Sequence, residues 1–310
     1  MRMMRTVVCA GLVLIAPAMG RAFEGTLKLR TTAAERDKLS ALNGGKAPDQ
    51  TQTLALTPEQ LTASKDAGAQ VHESTVYVSG TKVRMDTPLD KNKDSYAIVD
   101  TDKNVTWFVV PGEKRYIEWS EADAKAMGEK MAQVEKMMRE RMATLPPEQK
   151  EQVEAMLKNM RGGADSDAPP PKPDVKATGA TQTVNGMQTA AYEVKAGNET
   201  LVGWVTQEQP ELNKMLRTVQ ERMEKMTPAS MRGRQSARTA LGEKGFPVRV
   251  QTLDSGYYRV EEVLTIEKKP VSADLFVVPK DFAKTTGRDA MKGIGEKPSG
   301  DKPTGDKPSK

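Results

Sequence analysis

The two residue types on which much enzymatic and metal chemistry depends are almost missing from this chain of 310 residues: it has one cysteine, Cys9, and one histidine, His72. A Ser-His-Asp triad would have to rest on His72 alone, and no cysteine cluster exists to ligate a metal. His72 stands among Gln70, Val71 and Glu73 with no metal-ligand spacing, so it reads as a surface strand residue. GxSxG, HExxH, a phosphate loop and GxGxxG are absent as well. Aromatic residues reach only 5% and apolar ones 37%, so part of the chain is expected outside any packed core. A charge of one sign is also lacking. The chain holds 47 basic and 42 acidic residues, and Arg2, Arg5 and Arg21 precede Phe23, which leaves 44 against 42. Such interspersed balance does not make a polyelectrolyte ligand for nucleic acid. These absences exclude most enzyme classes and imply no cofactor, no resident metal and no nucleic-acid partner.

The one long apolar run, Val7 to Met19, follows a short basic opening, MRMMR. It falls short of the roughly 20 residues a transmembrane helix needs. Gly20 and Ala22 put small residues where a signal peptidase cuts, so residues 1–22 read as a signal peptide and the protein as exported to the periplasm. Val8 before Cys9 does not suit a lipobox, and Cys9 would leave with the signal. The remaining chain would then have no disulfide.

Downstream, FEGTLKLR from Phe23 alternates as a half-buried strand does. Residues 31–70 read as a polar insert, with one short helix over about 58–66 opened by Thr57-Pro58-Glu59-Gln60 at capping-box spacing. VHESTVYVS, TKVRMD, SYAIVD, NVTWFVV and EKRYIEW then read as an antiparallel meander broken by Ser79-Gly80, Thr101 to Lys103 and Pro111-Gly112. From Ser120 the period changes. Met127, Met131, Val134, Met138, Met142 and Leu145 recur at helical spacing, Pro146-Pro147 interrupts, and a second helix is expected over Glu148 to Met160, making a helical insert of 120–161. Residues 162–176 are Pro-rich linker. Asn185-Gly186 marks a hairpin, and NETLVGWVT adds a strand. A second helical insert, 207–243, carries Leu212, Met215, Leu216, Val219, Met223 and Met226, with an interruption near Thr227-Pro228. A last hairpin turns at Ser255-Gly256. The repeats GEKPS, GDKPT and GDKPS make 287–310 a disordered tail. About eleven strands with two helical inserts give an α+β class with a largely antiparallel sheet. A twisted sheet of that size should curl, with the helices plugging or lidding it.

The pieces FEGTLKLR, VYVSGTKVRMD, AIVDTDKNVTWFVVPGEKRYIEW, TQTVNGMQTAAYEVK, the Trp204 strand, GFPVRV and ADLFVVPKDF together resemble the bacterial family called domain of unknown function 4412 over roughly 23–283. The resemblance implies membership of the lipoprotein-carrier, LolA-like group. It implies an incomplete antiparallel barrel of about eleven strands with helices over an apolar cavity, here one domain spanning 23–286. Two departures are the 31–70 insert and Ala190, near where relatives often carry Cys.

Glu261 and Glu262, adjacent on a strand, point to opposite faces and cannot act as a facing carboxylate pair. Glu262 falls between apolar Val260 and Leu264, which favours an inward carboxylate salt-bridged to an arginine. Eleven methionines lie in the helical inserts. They suit irregular packing, a deformable lid over an apolar ligand, or a thioether site for copper(I). Trp107, Phe108, Tyr116 and Trp119 cluster on one hairpin, where Trp107 with Trp119, or Phe108 with Tyr116, would line a cavity. The expected function is therefore non-enzymatic binding of a lipid or lipoprotein acyl chain. Trp107, Trp119, Met127, Met131, Met138, Met142, Trp204, Met215 and Met223 are the cavity candidates. The alternative is a protein-interaction or envelope-stress module whose barrel its own side chains fill, with an envelope protein as partner.

Overall fold

The alternation that begins at Phe23 carries further than the insert boundary at residue 31. In the computed structural model, which describes residues 23–43, 45–46, 48–86, 94–143, 172–196, 199–225, 233–253 and 256–290, strand β1 spans Glu24–Glu35. Thr32 and Ala34 are buried on one side of its far end, so half-buried alternation continues where irregular chain was expected. The remaining strands are β2 (Gln70–Ser79), β3 (Lys82–Asp86), β4 (Tyr96–Asp100), β5 (Val105–Val110), β6 (Arg115–Ser120), β7 (Asp174–Val184), β8 (Met187–Ala196), β9 (Glu199–Thr206), β10 (Phe246–Leu253), β11 (Tyr257–Glu267) and β12 (Ala283–Thr286). They form one 12-stranded sheet in the order β12-β6-β5-β4-β3-β2-β1-β11-β10-β9-β8-β7. Every neighbouring pair is antiparallel except β12 with β6. The sheet is open, with β12 and β7 at its edges, in keeping with an incomplete barrel.

The helices are α1 (Gln50–Leu54), α2 (Pro58–Ala63), α3 (Glu121–Ala143), α4 (Pro210–Lys225), α5 (Gly233–Gly242) and α6 (Gly287–Ala290). One face of the sheet carries α4 and α5. Leu212 and Val219 of α4 sit in a core with Leu27, Val76, Val78, Val83, Val99 and Val263, while Ala237 and Leu241 of α5 pack on Val194, Leu201, Val205 and Val250. The other face lies under two straps. The 37–67 segment brings Leu39, Leu54 and Leu61 onto Tyr258 and Val260. The 271–282 segment brings Phe276 onto Tyr96, Ile98 and Val109. A buried polar knot fastens the first strap: Gln251 Nε2 donates to the carbonyls of Leu54 at 2.8 Å and Leu56 at 3.2 Å, and Tyr258 Oη donates to Leu56 at 2.7 Å.

Several expectations are corrected. Among the described residues there are twelve strands, because β12, only four residues long, has too little pattern to read. The 31–70 insert holds more order than one helix. Asp49 caps α1 with Gln52 as it caps the first turn, and 3-10 turns occupy Asp37–Asn43 and Lys65–Ala67. The capping box at Thr57 and Gln60 forms as read, but α2 stops at Ala63. Residues 174–176, read as linker, belong to β7, which begins at Asp174. Gly287–Ala290, read as the start of the tail, is helical and packs against Trp119, where a side chain at Gly287 would meet the indole. The Asn185-Gly186 turn forms with φ of 48° and 83°, the left-handed pair a two-residue hairpin requires. The signal segment 1–22, the helix over 148–160, the Thr227-Pro228 interruption and the repeats lie outside the described residues.

Candidate functional site

Antiparallel register sorts the side chains of β2–β6 into rows that cross the sheet. On the face that carries α4, one row runs Val78, Val83, Val99, Thr106 and Trp119. Its three valines belong to the core under α4. Two residues along each strand, the neighbouring row runs Leu27, Val76, Met85, Ala97, Phe108 and Ile117. Its first two members are buried, but Met85 is 41% exposed and Ala97, Phe108 and Ile117 are half-buried. With strands about 4.8 Å apart, the stretch from Met85 to Ile117 is about 14 Å long. It is an apolar strip flanked by α4.

Where this strip ends, β6 runs straight into α3. Ser120 and Asp123 cap the helix reciprocally, with Ser120 Oγ donating to Asp123 Oδ2 at 2.6 Å and Asp123 N donating to Ser120 Oγ at 3.3 Å. The end of α4 meets the start of α3 at one turn residue. Arg222 Nη1 donates to Asn104 Oδ1 at 3.4 Å, and Asn104 Nδ2 donates to Glu121 Oε2 at 3.3 Å. Asn104 holds a left-handed φ of 55° there. The two helices therefore share an anchor beside the half-open strip.

Three of the cavity candidates, Trp204, Met215 and Met223, pack against one core cluster, whereas Trp107 and Trp119 do not share a face. Trp107 pairs with Glu118 and Trp119 with Thr106, so the two indoles point to opposite faces, and the same parity separates Phe108 from Tyr116. Trp107 donates Nε1 to Glu118 Oε2 at 3.1 Å on the strap face, and Trp119 is closed over by Gly287. Trp204 pairs with Arg249 and donates Nε1 to Gln251 at 3.0 Å. Met215 and Met223 press α4 onto the core. Met127 is half-buried on α3, while the side chains of Met131, Met138 and Met142 lie outside the described residues. Thus α4 itself fills the part of the face where an apolar cavity was expected. A cleft of about 390 Å³ lies along α4 instead, lined by Gln207, Asn213, Lys214, Arg217, Thr218 and Phe246, with polar and apolar surface in equal share. The Met85–Ile117 strip was missed because it is visible only once the register of four strands is known.

Several ionisable groups are paired with one another. Glu262, 2% exposed, accepts Arg249 Nε at 2.6 Å and Arg30 Nη2 at 2.7 Å, so the inward carboxylate holds two arginines. Glu261, on the other face, takes Arg238 of α5 at 2.7 Å. The Lys284 hydrogen bond holds the Glu118 carboxyl below its usual range, against a smaller opposing effect of burial. Burial pushes the Tyr258 phenol well above its ordinary value. His72 is exposed on β2. Among the described residues no group of three or more His, Cys, Asp or Glu side chains is placed to hold a metal, and no helix is long and apolar enough to cross a membrane.

The model of a family described as a domain of unknown function, DUF4412, matches residues 97–282, from β4 through the strap that follows β11. The chain belongs to this family. No curated protein matches it. Among solved structures, PNGF-II in space groups C2 and P21 aligns at TM-score 0.33, with 9% and 10% identity, over 84% of this chain. The chain spans 31% of the length of either structure.

Proposed function

We propose that this DUF4412 protein is an exported, non-enzymatic binding protein of the cell envelope that holds an apolar ligand, a lipid or lipoprotein acyl chain, beside α4. The half-exposed strip of Met85, Ala97, Phe108 and Ile117 carries the reading. Each methylene moved from water onto such a surface contributes about 0.8 kcal/mol when fully buried. α3 follows β6 directly, and the methionines its sequence carries would serve as a deformable cover. The signal-like 1–22 segment supports export, and the resemblance to the LolA-like group supports an acyl-chain cargo. The second reading, a self-filled interaction module, is favoured by the close seating of α4, whose Leu212 is fully buried.

Native mass spectrometry of the protein purified from its own cells without detergent separates the two. A stoichiometric lipid or acyl-peptide adduct is the expected result. A bare mass that persists after incubation with phospholipid vesicles would establish the self-filled module instead.

A further inference from the structure

Two residues before Ile117, on the same face of β6, stands Arg115, opposite Val110. The apolar strip therefore ends beside a guanidinium whose side chain is 39% exposed. Its Nε donates to the Glu113 carboxylate, and its Nη groups carry no hydrogen bond among the described residues. Glu113, Lys114 and Arg115 together leave one positive charge at this turn. Lys284 of the edge strand is committed to Glu118 on the opposite face at 2.7 Å. At the same end of the strands Ser95, 2% exposed, has a hydroxyl with no hydrogen-bond partner. An apolar track of about 14 Å that ends on an open cationic fork fits one kind of guest better than a neutral lipid.

We propose that the ligand is a single-chain amphiphile with an oxyanion head, and that Arg115 receives that head while the chain lies along Met85, Ala97, Phe108 and Ile117. This rests on the apolar-ligand reading above. Arg115 is thus a specificity residue: it selects the charged head and leaves the chain's affinity to the strip. Lysine would keep the charge but lose the planar fork, so it should restore only part of the selectivity.

The test uses 11-(dansylamino)undecanoic acid and its methyl ester, two probes with one chain and different heads, titrated by dansyl fluorescence into the full protein. The acid is expected to bind about tenfold more tightly than the ester, a difference of the size one charge-assisted hydrogen bond supplies. Arg115→Gln should abolish that ratio with ester affinity unchanged, and Arg115→Lys should recover part of it. Circular dichroism melts establish that both variants are folded. Equal binding of acid and ester to the wild type, or an equal loss of both in Arg115→Gln, would overturn the role of Arg115 but leave the apolar site standing. Binding of neither probe would overturn the apolar site itself, and this inference with it.

Discussion

Gly203 of β9 lies directly beneath Leu241 of α5, so close that a Cβ at residue 203 would overlap both Leu241 methyl carbons. Leu241 is 1% exposed and has no room to withdraw. The glycine is required here by close approach of helix to sheet, not by its backbone angles. Gly203→Ala is expected to destabilise by about 1–3 kcal/mol, as overpacking does, in urea unfolding. Shortening the partner as well should be non-additive. In the Gly203→Ala, Leu241→Ala double variant, the added alanine should cost less than it does alone.

Glu262 holds Arg30 and Arg249 together across three neighbouring strands, with its own side chain 1% exposed. Removing one member of such a set leaves charge without compensation, whereas replacing the whole set by apolar residues of similar size does not. Glu262→Ala should cost about 3 kcal/mol. That is the low end for a buried pair, because Arg30 and Arg249 keep 29% and 17% exposure and water can reach them. The triple replacement Arg30→Met, Glu262→Leu, Arg249→Met should be closer to wild type than Glu262→Ala is. A triple variant less stable than the single one would show that the cluster contributes net stability.

The inward Glu262 was legible in the sequence, since parity along β11 places it with Val260 and a salt bridge to an arginine is favoured there; that two arginines share it was not. The hairpins at Ser79-Gly80 and Asn185-Gly186 and the stripe of α4 were legible for the same reason: turn chemistry and period are local. What was not legible is relational. Trp107 and Trp119 sit twelve residues apart on one hairpin, and only the pairing of Trp107 with Glu118 decides that they face apart. The order inside 37–67 depends on Gln251 and Tyr258, nearly 200 residues away, which satisfy the carbonyls of Leu54 and Leu56. That β12 runs parallel to β6 is likewise a tertiary decision, because a four-residue strand has no pattern of its own.

The edge strand β12 is tied down by Lys284 and Glu118, and this tie has a pH signature. The Glu118 carboxyl titrates below its ordinary value of 4.5 in the folded protein, chiefly through the Lys284 hydrogen bond. A carboxyl with a lowered folded value contributes stability above its unfolded pKa and loses it as pH falls through the folded one. Docking of β12 should therefore weaken below about pH 4.5, by no more than about 1 kcal/mol, since Glu118 and Lys284 keep 32% and 47% exposure. Amide hydrogen exchange at Thr285 and Thr286 reads this directly. Glu118→Gln should flatten the acid limb, and an unchanged limb would assign it to other carboxyls.

Two substitutions on the same face separate a built-in core from a binding strip. Leu212 of α4 is fully buried against the sheet, so Leu212→Ala should cost about 2–5 kcal/mol through lost transfer energy and a cavity. Phe108 is half-buried in the strip, so Phe108→Ser should cost less. Phe108→Ser should release co-purifying lipid or weaken the dansyl probes at least tenfold while the protein stays folded, because the ring it removes belongs to the guest's surface. Leu212→Ala should retain the guest to the extent that it folds, since its side chain faces the core. If the roles reverse, so that stability tracks Phe108 and nothing is released, the strip is an incompletely covered part of the core. The self-filled module would then be the better account of why α4 is seated so closely.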